Sequence, residues 1–199
     1  KDAYKSSKIT LDYNGAYDFT NITNIQAGVK GRGNSSWRLD KKPYKIKFEN
    51  GTSLFGLEKA KRWVLIANHV DRSLIRNDLA YAIGDVLDNM VFVPSSYMVD
   101  VFVNGKYMGV YQLSEQIEIN EGRIPGEENS SEVDTDYLLE LGGDKLETPF
   151  GYNNFSTDLF KWVEIKNPDE ENLSSEQYAY IKDYVNQVEE AVMAGEGYE

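Results

Sequence analysis

Gly31, Arg32 and Gly33 stand in a short polar run, and Lys45 and Lys47 alternate with Tyr44, Ile46 and Phe48 shortly after it. These residue types suit an anion. Glycine lets backbone amides come close, a guanidinium offers a planar fork of donors, and two ammonium groups on alternate strand positions stand about 7 Å apart, twice the strand rise. A polyphosphate asks a protein for that kind of charge neutralisation and positioning, with carboxylates for magnesium. No Gly-Lys-Ser or Gly-Lys-Thr closes the run, so it is not a P-loop. The same lysines also read as the solvated face of a half-exposed strand, and Arg32 as the partner of a structural carboxylate such as Glu115.

Two acids join this set. Glu115 follows a strand that should be partly buried, where it either orients a phosphate-binding Lys or Arg through an ion pair or ends a hairpin in water. Glu140, on a short strand before Gly142-Gly143, either lines a nucleotide cleft or is a surface acid. Glu127, Glu128, Glu132, Asp134 and Asp136 lack the alternating ligands and central glycine of a calcium loop and read as solvated. No Ser/His/Asp constellation can be assembled, because His69 is the sole histidine.

The elements that must position these residues read as α+β. Alternation over 9–13, Asn14-Gly15 as a type I′ turn and a return over 16–20 suggest a hairpin. Residues 43–48 alternate with period two, which puts Tyr44, Ile46 and Phe48 on one face and Lys45 and Lys47 on the other. Residues 63–67 are continuously apolar, as a strand buried on both faces is. Asp71 is a candidate N-cap for a helix over about 71–87, packed on the sheet through Ile75, Leu79, Ile83 and Leu87; Arg76 and Asn77 lie to the side of that stripe. Asn104-Gly105 between 99–103 and 107–113 is the best hairpin signal in the chain. Residues 120–136 read as a mobile surface loop, and 137–141 and 162–166 as short strands. Ser174-x-x-Gln177 matches a capping box for a helix over about 174–193, its stripe running through Ile181, Tyr184, Val185, Val188 and Val192.

Composition closes several classes. The 199 residues carry 21 basic and 33 acidic side chains, a net charge of −12, so phosphate-backbone attraction is not the general mode of binding and no nucleic-acid partner is expected. Apolar residues make up 41% and charged residues 27%, which is globular, and no apolar run approaches a membrane span, so no membrane insertion is expected. With no cysteine and one histidine, any metal would be a hard ion held by oxygen. The chain opens at Lys1 without a methionine, which reads as a piece cut from a longer precursor, and its profile suits a secreted or cell-surface bacterial protein. Six N-x-S/T triplets, from Asn21 to Asn172, read as chance in an Asn- and Ser-rich chain.

Four blocks carry a resemblance: Val29-Lys-Gly-Arg-Gly-Asn-Ser-Ser-Trp37; Lys42-Pro-Tyr-Lys-Ile-Lys47; Trp63-Val-Leu-Ile-Ala-Asn68 with Leu74-Ile-Arg-Asn77; and Asn104-Gly-Lys-Tyr-Met-Gly-Val-Tyr111 with Glu115-Gln116. In this order they resemble the CotH family, the spore-coat protein H-like kinases, and Tyr137-Leu-Leu-Glu140 and Ile165-Lys166 extend the match to about 170. The resemblance implies the N-terminal part of an atypical kinase fold, ATP and magnesium as cofactors, phosphoryl transfer to protein side chains such as those of spore-coat or surface proteins, and an extracellular or cell-surface setting. It further implies nucleotide-facing roles among Arg32, Lys45, Lys47, Glu115 and Glu140. The family's catalytic and metal-binding aspartates are not recognisable, so they are expected beyond Glu199 and these 199 residues alone are expected to be inactive. The competing reading is a noncatalytic module that binds carbohydrate or protein. For it, 25 aromatic residues would supply stacking rings, with Trp37, Trp63 and Trp162 as the best candidates.

Overall fold

A computed structural model describes residues 3–142, 153–160 and 162–195, and Gly143 lies outside them. The chain divides into two compact units, Lys1–Ile117 and Glu118–Glu199. Among the described residues, no helix is long and apolar enough to cross a membrane.

The first unit is a six-stranded antiparallel sheet. Its strands are β1 (Lys5–Leu11), β2 (Ile22–Gly31), β3 (Tyr44–Thr52), β4 (Ala60–Ile66), β5 (Ser96–Val103) and β6 (Lys106–Glu115), in the order β1-β2-β3-β4-β6-β5. The sheet curls, because the edge strands β1 and β5 line one apolar cavity together with Ile46, Phe48, Leu65 and Leu113. Period-two alternation builds the core on the inner face. Ala27, Ile46, Phe48, Trp63, Leu65, Tyr111 and Leu113 interlock there, each large apolar side chain among them stabilising the fold by roughly 1.5–3 kcal/mol. Strand β4 is buried on both faces over Trp63, Val64 and Leu65, as its apolar run predicts. The Trp63 indole stays satisfied by donating to the Ala60 carbonyl at 3.1 Å.

Asn104 and Gly105 both take positive φ, 50° and 78°, and close the β5–β6 hairpin as expected. Asn14 and Gly15 do likewise at 51° and 71°, but a single 3-10 turn over Ala16–Asp18 follows, and the returning strand is β2 rather than 16–20. Asn21 holds that corner together by accepting from the Tyr13 amide and donating to Asp12.

Helix α1 (Arg76–Asp85) is shorter than the span expected for it. Leu74 adopts φ 63°, a left-handed conformation that interrupts any helix begun at Asp71. Asp71 still serves the helix start, because its carboxylate accepts from the Ser73 amide and hydroxyl and from the Arg76 amide. The Ser73 hydroxyl first, then the Arg76 amide, hold its carboxyl below the usual aspartate range. The apolar stripe faces outward: Ile75, Leu79, Ile83 and Leu87 are each more than half exposed. What ties α1 to the sheet is a chain of amides. Asn77 donates to Asn68, Asn68 to the Leu74 carbonyl and to Gln112, and Gln112 to Ser96. Gln112 is fully buried, so this ladder satisfies a polar group that would otherwise destabilise the sheet.

The second unit pairs a three-stranded antiparallel sheet, in the order β7-β9-β8, with helix α2. Its elements are β7 (Leu138–Gly142), β8 (Asn154–Phe155), β9 (Trp162–Asn167) and α2 (Ser175–Ala194). Ser174 and Gln177 form the reciprocal capping box that their spacing predicts. Ile181 is buried against Phe155, Val163 and Ile165, whereas Tyr184 and Val192 are more than half exposed. Residues 120–136 are irregular but tied down. Asn167 donates to the Glu127 and Asp136 carbonyls, Gln177 donates to the Ser130 and Glu132 carbonyls, and buried Arg123 pairs with Glu118 at 2.5 Å.

Candidate functional site

Strand register decides which charged groups share a face. Lys30 lies opposite Lys45, Lys45 opposite Val64, and Val64 opposite Ser114; two residues along β3, Gly28 lies opposite Lys47 and Lys47 opposite Arg62. Directly paired residues point to the same side, so Lys30, Lys45, Lys47 and Arg62 stand together on the face away from the core, with neighbouring strands about 4.8 Å apart. Arg32 extends this row. Its amide bonds the Pro43 carbonyl at 3.2 Å, continuing the β2–β3 ladder past Gly31, and alternation puts its side chain on the same face as Lys30. Five cations thus gather on one patch of a strongly acidic chain. Lys45 and Arg62 are half-buried and Lys47 is exposed.

An aromatic ring sits within the patch. Tyr4 lies across Gly28, where an added Cβ would stand 3.0 Å from the ring, and the amines of Lys30 and Lys47 lie 4.8 and 6.0 Å from the ring centroid. Sequence reading missed Lys30, Arg62 and Tyr4. The available signal was the polar member of each alternating pair, Lys30 beside Val29 and Arg62 beside Trp63, but only the register shows that they converge with Lys45 and Lys47.

The two loop glycines serve the loop itself. A Cβ on Gly31 would overlap the Trp37 indole, and one on Gly33, whose φ is 77°, would overlap the Ser36 hydroxyl. Trp37 packs edge-on to Tyr44, and the Lys42 amine donates to the Trp37 carbonyl at 2.8 Å. The returning end of the loop is clamped onto β6. Tyr111 donates to the Lys42 carbonyl at 2.9 Å, while the Lys41 amine donates to the Val110 carbonyl and lies 4.5 Å from the centroid of the Tyr111 ring. Burial, with Tyr44 nearby, pushes the Tyr111 phenol up to about 12, and burial draws the Lys41 amine down. Gly109, beside the Lys41 chain, takes φ 97°, a backbone conformation that side chains rarely adopt. Through these contacts the Asn104 to Tyr111 block holds the start of β3, and with it Lys45, in register.

Glu115 is buried and sits elsewhere. It pairs with Trp63 on the inner face, opposite to the face of Lys45, and its carboxylate accepts from the Ser95 amide at 2.9 Å. It is therefore not a hairpin-end acid in water, and register sets it across the sheet from the lysines. Glu140 belongs to the second unit. It lies opposite Glu164 on β7 and pairs with Lys166 at 3.2 Å, and Lys166 also pairs with Glu164 at 2.7 Å. Burial works to lower the Lys166 amine, but the Glu164 hydrogen bond and the Glu140 charge outweigh it, so the amine stays above the ordinary lysine range. Register therefore unites Arg32, Lys45 and Lys47 and leaves out Glu115. Among the described residues no three His, Cys, Asp or Glu side chains group to hold a metal ion, so magnesium finds no ligand cluster of its own among them.

Trp63 and Trp162 are buried and so unavailable for stacking on a sugar, whereas Trp37 is half-buried, packed against Gly31 and Tyr44. Comparison with curated proteins gives no match. The model of the family described as CotH kinase protein matches residues 29–199, from the strand that carries Lys30 through the last residue, and the chain belongs to that family.

Proposed function

We propose that the first unit is the nucleotide-holding part of a CotH-type phosphotransferase, with the triphosphate of ATP lying along the basic face of β2, β3 and β4. The observation that carries this reading is the convergence of Arg32, Lys30, Lys45, Lys47 and Arg62 on one face of a chain whose net charge is −12. In such an acidic molecule a free triphosphate is repelled almost everywhere else, so a local cluster of cations both attracts and orients it. Arg32 supplies the forked donor that suits two phosphate oxygens, and Lys45 and Lys47 supply point charges at successive positions. Phosphoryl transfer needs this neutralisation more than it needs covalent chemistry from the protein. Magnesium travels with the nucleotide in this reading, and no step is assigned to it. Family membership favours a protein hydroxyl as acceptor and a spore-coat or cell-surface setting.

Calorimetric titration with ATP and magnesium tests the assignment. Lys45→Gln and Lys47→Gln are each expected to weaken affinity about tenfold, the value of one charge-assisted hydrogen bond. Lys166→Gln, in the second unit, should leave affinity unchanged. Unaltered affinity in both strand variants would remove these lysines from the site.

A further inference from the structure

In the second unit a mainly apolar groove of about 450 Å³ lies between α2 and the segment that leads into β7. Tyr137, Tyr180 and Tyr184 line it as a row of nearly parallel rings, with successive centroids 6.1 and 6.4 Å apart. Tyr137 donates to the Val133 carbonyl at 2.6 Å and Tyr180 to Asp134 at 2.9 Å, so these two residues offer the groove ring surface rather than hydroxyls. Two carboxylates, Asp134 and Glu189, also line it, and among the described lining residues there is no Lys, Arg or His. Glu189 is only 7% exposed, yet its donors are the Thr157 hydroxyl and the Leu159 amide, both neutral. A buried carboxylate held by neutral groups alone is destabilising, and a cation placed beside it offsets that cost.

We propose that this groove binds a small organic cation, an ammonium or guanidinium group joined to an aromatic or aliphatic body. Charge selects the cation. Both ionisable acids of the lining are negative with no basic side chain to answer them, tyrosine faces attract positive charge, and a chain of net charge −12 concentrates cations around itself. The lining selects the body, because between the acids it is aromatic and aliphatic, with Ile181, Val185 and Val188 beside the rings. Size selects a small molecule. The volume falls in the range of small-ligand pockets, about 300–1,000 Å³, and the stretch of α2 from Tyr180 to Glu189 is about 13 Å long. The groove uses no residue of the proposed nucleotide site, so each can fail without the other.

Titration of the full chain with phenylbutylamine, phenylbutanol and phenylbutyrate, followed by NMR, tests the proposal, because the three probes share a body and differ in charge. The amine is expected to bind with a Kd of about 1 mM or below, the alcohol about tenfold more weakly and the carboxylate not measurably. Glu189→Gln should weaken the amine about tenfold and leave the alcohol unchanged, a split that a merely structural role would not produce. Val188→Lys sets a positive charge in the groove at a position 46% exposed, and it should abolish amine binding while the alcohol still binds. Circular dichroism checks the folding of both variants, and Val188→Lys decides if Glu189→Gln does not fold. An amine that fails to bind the wild-type chain at up to about 10 mM, or that binds no tighter than the alcohol, overturns the proposal. So does an amine affinity that a folded Glu189→Gln or Val188→Lys chain leaves unchanged.

Discussion

Gln177→Ala is expected to destabilise the second unit by about 3–5 kcal/mol, more than most single substitutions do. The side chain is fully buried and each of its polar atoms is in use. Its oxygen accepts from the Ser174 amide at 3.0 Å, and its nitrogen donates to the Ser130 and Glu132 carbonyls at 2.8 Å each. Truncation strands one donor and two acceptors, of which the Ser130 carbonyl lies in the buried contact and costs about 1–3 kcal/mol unsatisfied, the part-buried Ser174 amide and Glu132 carbonyl and the lost helix cap adding the rest. The loss is also local in a measurable way. The amides around 130–132 should exchange with solvent faster in the variant, because Gln177 is one of the side chains that anchor residues 126–136, beside Asn167, Asp169 and Tyr180. Urea unfolding monitored by circular dichroism reads the first effect and hydrogen exchange the second. A midpoint and exchange pattern equal to wild type would show that the segment is held by something else.

Gly31→Ala is the second large effect, expected at about 2–3 kcal/mol, the upper part of the range for overpacking a filled site. The backbone at Gly31 lies outside the left-handed region, so the cost comes from space alone. The new methyl would stand 2.8 Å from one ring carbon of Trp37 and closer still to two others. The ring cannot easily yield, since it packs against Tyr44 at a centroid distance of 6.3 Å and its own carbonyl accepts from Lys42. Displacing Trp37 pulls on the loop that sets Arg32 beside Lys45. The variant should therefore lose ATP affinity about tenfold along with its stability, in line with one lost charge-assisted contact. A shift in unfolding midpoint without any change in affinity would separate the loop from the basic patch.

Much of this was legible in the residues. Alternation over Tyr44, Ile46 and Phe48 places Lys45 and Lys47 opposite the core because a strand has no other way to bury that pattern. Asn104-Gly105 and the Ser174–Gln177 pair act within a few residues, so tertiary context leaves them intact. Where the chain departs from expectation, distant partners decide. Leu74 turns left-handed because Asp71 and Asn68 gather the backbone of 68–76 around their side chains, and that shortens α1. Residues 120–136 look like a mobile loop from their composition, but their anchors, Asn167 and Gln177, lie some forty residues away in sequence. Lys30 and Arg62 enter the candidate site through register alone, which no local pattern encodes.

Central to the proposed function is a triphosphate lying on the β2–β3–β4 face. An acyl-phosphate derivative of ATP, which acylates whichever lysine stands beside the bound phosphates, tests it directly when the labelled peptides are mapped by mass spectrometry. Label is predicted to fall on Lys45, Lys47 or Lys30 and to disappear when excess ATP competes. Label spread over exposed lysines such as Lys8, Lys59 and Lys106, with no protection by ATP, would contradict it.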